Sequence, residues 1–112
     1  MNRARITENL PPAVATWLAD AGPELWDAVA RELCVRLGRQ LLGLEGWNRP
    51  ARARFLATCP SPALRAILPG LPVRQWGANT VAGPLCAHFE LFGAQDDVRR
   101  RLGNLPKSDR AA

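Results

Sequence analysis

The chain has 112 residues, a net charge of +5 and 47% hydrophobic residues, enough for one domain-sized core and too apolar for a chain that must stay disordered. No apolar run approaches the roughly 20 residues that span a bilayer. The basic stretch Met1–Asn9 leads into Pro11-Pro12 rather than an apolar signal core, so a cytoplasmic protein without a membrane partner is expected.

Asn9 and Pro11-Pro12 announce the first helix, because proline fits a first helical turn whose N–H would be unpaired anyway. Leu10, Val14, Trp17, Leu18 and Ala21 recur at three- and four-residue spacing, and Gly22 supplies the stop. Pro23 and Glu24 then open the strongest element, a helix running to about Leu42 before Gly43, roughly 30 Å long. On its wheel Leu25, Trp26, Val29, Ala30, Leu33, Cys34, Leu37 and Leu41 fill one half, edged by Arg36 and Gln40. Asp27, Arg31, Glu32 and Arg39 occupy the other half. So wide an apolar arc predicts a core helix touching two or more neighbours. Leu25, Val29, Leu33, Leu37 and Leu41 should be buried, with Leu18, Phe55, Leu64 and Phe89 against them.

A third helix is predicted after the Asn48 cap, with Pro50 in its first turn, ending before Pro60. Ser61-Pro62 caps a short fourth helix through Leu68, closed by Pro69-Gly70. Residues 85–92 fit a helix started at Pro84, through Leu85, Phe89 and Phe92. They also fit a strand alternating Leu85, Ala87, Phe89 and Leu91 with His88 and Glu90. The helix is the expectation, with a short β segment within 73–92 as the alternative. Asp96-Asp97 open and Arg99-Arg100-Arg101 close a last short helix ending at Gly103. The predicted fold is therefore all-α, a compact orthogonal bundle of five to six short helices around a central helix at about 23–42. Residues 1–112 form a single helical domain, with 1–8 and 104–112 as flexible ends.

Chemistry at this chain's titratable residues is thinly supplied. Cys34, Cys59, Cys86 and His88 are the residue types of a Cys₃His zinc site, but no Cys-x-x-Cys pair is present. Cys86 and His88 point about 200° apart on a helix. No metal and no cofactor are expected. An odd count of widely spaced cysteines suits reduced thiols in a cytosol rather than a disulfide framework. With one His and no Tyr there are few general acids or bases, and Gly43-Leu44-Glu45-Gly46 lacks the Lys-Ser/Thr of a phosphate loop. An enzyme is the third reading.

The charge distribution carries more. Fourteen of the fifteen basic residues are Arg, a bias that a GC-rich bacterial genome also produces. Residues 46–75 nonetheless hold Arg49, Arg52, Arg54, Arg65 and Arg74 without one acid, flanked by Trp47 and Trp76. Such a block suggests an acidic partner, and Trp and Arg are the types most enriched at binding hot spots. On the third helix Arg52 falls on the side of Phe55 and Leu56 while Arg54 points nearly opposite, so these arginines make no single stripe for a nucleic-acid groove. The expected function is a non-catalytic protein-interaction module (an adaptor, assembly component, chaperone or inhibitor) that binds an acidic protein surface. Its expected docking residues are Arg49, Arg54, Arg65 and Arg74 with Trp47 or Trp76. The alternative is a small basic nucleic-acid-binding regulator, with the two tryptophans stacking on bases.

Overall fold

Apolar spacing and proline-marked starts shape nearly every element of the computed structural model, which describes residues 1–103. In chain order these are α1 (Arg3–Glu8), α2 (Pro12–Leu18), α3 (Pro23–Leu42), α4 (Arg49–Leu56), α5 (Pro62–Ile67), α6 (Ala78–His88) and α7 (Gln95–Gly103). Short 3-10 turns at Gly43–Gly46, Leu68–Gly70 and Val73–Gln75 join some of them, and the described residues contain no strand. The described residues form an all-α bundle with seven helices in place of five or six.

The central helix has the expected bounds but a different phase. Its buried face is Trp26, Ala30, Leu33, Cys34, Val35, Gly38, Leu41 and Leu42. That arc is centred near Cys34, about 90° round the wheel from the expected one. Leu25 is 38% exposed, and Val29 and Leu37 are only half-buried. The reason lies in Gly38. A Cβ there would stand 2.6 Å from Leu102 Cδ1, so the glycine lets α7 seat against α3, and α6 packs beside both. Of the remaining expected core, Leu18, Leu64 and Phe89 are buried, and Phe55 is half-buried beneath Trp47. Trp17, on the expected apolar stripe of α2, is 62% exposed.

Helix α6 begins at Ala78, six residues before Pro84, which lies inside the helix rather than at its start. Gly77 is extended, and its N–H donates to Thr80 Oγ1 at 3.3 Å, so a local cap replaces the expected proline signal. The segment read alternatively as strand is thus a helix. It stops at His88, which leaves Phe92 beyond it and 81% exposed.

The expected flexible start is instead a docked helix. Asn2 caps α1 through its side chain, Ile6 is fully buried, and the N–H of Asn2 donates to Phe89 O at 2.9 Å. Arg5 Nη1 donates to His88 O at 2.9 Å, satisfying a terminal carbonyl of α6. The Arg3 guanidinium lies 4.9 Å from the Trp26 ring centroid. The other expected flexible end, 104–112, lies outside the described residues.

Candidate functional site

The Asn48 side chain accepts from Ala51 N at 2.9 Å, with Pro50 next to the start of the helix, so α4 begins as its sequence dictates. That start places Arg49, Arg52, Ala53 and Leu56 at i, i+3, i+4 and i+7, one face two turns long. Ser61 caps α5 through Leu64 N at 3.3 Å, and Pro69 and Pro72 then turn the chain back. Between the α4 face and the segment from Leu68 to Trp76 lies an open groove of about 920 Å³.

One wall is basic and the rest is apolar. Arg49, Arg52 and Arg65 line it with Leu56, Leu68, Leu71, Val73 and Trp76, and no Asp or Glu among the described residues contributes. Two of the guanidiniums are tethered by backbone. Arg52 Nη1 donates to Trp47 O at 3.0 Å, and Arg65 Nη1 donates to Cys59 O. None of the three forms an ion pair among the described residues, where every pair lies within α3, within α7 or between the two. Four of the acids, Asp27, Glu32, Asp96 and Asp97, are engaged by arginines of α3 and α7. Asp97 accepts from Arg31 at 3.3 Å and Arg100 at 2.7 Å, and Glu32 accepts from Arg101.

Of the six residues singled out from sequence, the groove brings together Arg49, Arg65 and Trp76. Arg54 is exposed on another side of α4, Arg74 is exposed in the turn Val73–Gln75, and neither lines the groove. Trp47 is 46% exposed and meets Phe55 edge-on at 5.5 Å, outside the groove. Trp76 is only 8% exposed, pinned by its Nε1–H donating to Leu71 O at 3.2 Å. Sequence reasoning missed Arg52. The signal was present in its i,i+3 spacing from Arg49 and i,i+4 spacing to Leu56, once Arg54 is left out of the stripe.

None of the thiols, nor the histidine, lines this groove. Cys34 and Cys86 meet across α3 and α6, where their mutual hydrogen bond and burial push the Cys34 thiol up. Burial also pushes Cys59 up, against the pull of Ser61 and Arg65. Burial, with Arg5 and Arg65 nearby, lowers His88 below its ordinary value. All three cysteines are buried free thiols. Among the described residues no three His, Cys, Asp or Glu side chains gather as a metal site requires, and no helix is long and apolar enough to cross a membrane. No protein-family model matches this chain, and no curated protein or solved structure shows a similarity to it.

Proposed function

We propose that this chain is a small non-catalytic interaction module, an adaptor or assembly component of the cytoplasm, that docks an acidic protein partner in the groove beside α4. The observation that carries the reading is the segregation of charge. Among the described residues, Arg49, Arg52 and Arg65 line a groove with no acid and form no ion pair, while the α7 arginines are paired with carboxylates. Unneutralised charge around a partly apolar groove raises the encounter rate with an oppositely charged partner and selects against the wrong one. A nucleic-acid reading draws less support. Base stacking needs an accessible ring, yet Trp76, the one aromatic in the groove, is 8% exposed.

The test is affinity capture from nuclease-treated extract of the cells that express the protein. Three baits are compared: the parent, an Arg49→Gln/Arg52→Gln/Arg65→Gln variant, and an Arg54→Gln/Arg74→Gln control. An acidic protein retained by parent and control but lost from the groove variant supports the proposal. Equal retention by all three baits makes the groove a solvated face. Retention of nucleic acid, weakening with salt along a log–log slope of about −0.7 to −0.9 per phosphate, selects the other reading.

A further inference from the structure

The groove's shape and lining narrow the kind of partner, on the premise that it docks an acidic protein as proposed above. Extended peptides bind folded domains by adding to a sheet edge or by lying in an aromatic-lined polyproline groove. The described residues contain no strand, hence no edge to extend. The groove holds a single aromatic ring, and its face is spent on the fold. What remains is the geometry that accepts a helix, a wall made by one helical face and an opposing wall of short turns stiffened by Pro69 and Pro72.

The dimensions and polarity agree. From Arg49 to Leu56 the α4 face rises about 10 Å, the span of two helical turns and of apolar anchors at i, i+3 or i+4, and i+7. Over a buried floor of Leu56 and Leu68, Ala53, Leu71 and Val73 supply accessible apolar surface for such anchors, and Arg49, Arg52 and Arg65 stand ready for carboxylates flanking them. Charge and apolar surface share one groove, so charge alone does not fill it. We infer that the groove takes an acidic amphipathic helix of about two to three turns, its apolar face on Ala53, Leu71 and Val73 and its flanking carboxylates on the three arginines.

Three labelled synthetic peptides test this by fluorescence anisotropy against the full chain. One repeats Leu at i, i+3, i+4 and i+7 among Glu and Ala. The second has the same composition scrambled, and the third replaces every Leu by Ser. The first should bind at least about tenfold more tightly than the others, since only it can bury its leucines together on one helical face. Arg49→Gln/Arg52→Gln/Arg65→Gln should weaken it about tenfold or more, and Val73→Ser about threefold, with circular dichroism confirming the fold of each variant. Equal binding of all three peptides, still dependent on the arginines, overturns the helix while leaving acidic docking intact. Tight binding that ignores the arginine variants overturns both, and so does displacement of the first peptide by single-stranded DNA bound more tightly at the same arginines. No binding by any peptide overturns the helix.

Discussion

Gly38 shows how one residue turned the central helix away from its expected phase. Wheel arithmetic counts apolar side chains, and Leu25, Val29 and Leu37 outnumber what lies on the opposite edge. A glycine scores as nothing on such a wheel. In the fold it is the contact point, because Leu102 of α7 occupies the space its side chain would need, 2.6 Å from an ideal Cβ. Helix–helix approach therefore decided the face, and no single-helix pattern displays it. Gly38→Ala sets two effects against each other. Alanine gains about 1 kcal/mol of helix propensity, but forcing a methyl against buried Leu102 costs roughly 1–3 kcal/mol. The expected outcome in urea unfolding is a net loss of about 1 kcal/mol. In a Leu102→Ala background the clash is gone, so the same substitution should become stabilising. Equal effects of Gly38→Ala in both backgrounds would show that α3 and α7 do not touch here.

Helix starts were legible in this chain wherever a proline followed a polar cap, as at Asn48 and Ser61. They were illegible where the cap was built differently. The start of α6 rests on Gly77 and Thr80, a pairing with little composition to mark it, and Pro84 within the helix looks like a start. The end of α6 is as unorthodox. The N–H of Glu90 donates to Ala87 O at 3.1 Å and that of Leu91 to Cys86 O at 2.8 Å, the paired bonds of a left-handed helix stop. The left-handed position, with φ of 55°, holds Glu rather than Gly. That conformation costs a non-glycine residue on the order of 1 kcal/mol, and a carboxylate faces the negative end of the helix. The offsetting contact is Asn2 Nδ2 donating to Glu90 Oε2 at 2.8 Å, an exposed bond tying α1 to α6. Exposed bonds of this kind are worth less than the backbone cost, so Glu90→Gly should raise stability by about 0.5 kcal/mol. Thermal unfolding reads this directly, and a lower melting temperature would mean that the Asn2 contact outweighs the backbone.

The chain as a whole separates its charges into two populations. The basic excess of residues 46–75 was visible in the sequence, because counting needs no structure. Its fate depended on where the acids from other segments went, and that is a tertiary property. Glu32 and Asp97 pair across the seam between α3 and α7, Asp27 and Asp96 pair within their own helices, and no acid among the described residues lines the groove beside α4. Helix α4 bears the consequence locally. Arg49 occupies its first position, no acid stands in its first turn, and Arg52 follows one turn on. Positive charge at a helix N-terminus opposes the macrodipole, and three guanidiniums around one groove repel each other. A sequence optimised for stability alone would place an acid there. Arg49→Glu should therefore stabilise the fold by a few tenths of a kcal/mol, roughly 1–3 °C in Tm at low salt. The gain should shrink as salt screens it. The same variant should lose binding to the acidic amphipathic peptide, because it puts a carboxylate where the ligand brings its own. Stability and binding moving in opposite directions on one substitution is the signature of a functional charge. If Arg49→Glu lowers Tm at low salt, or leaves peptide binding intact, the arginine belongs to the fold rather than to a partner.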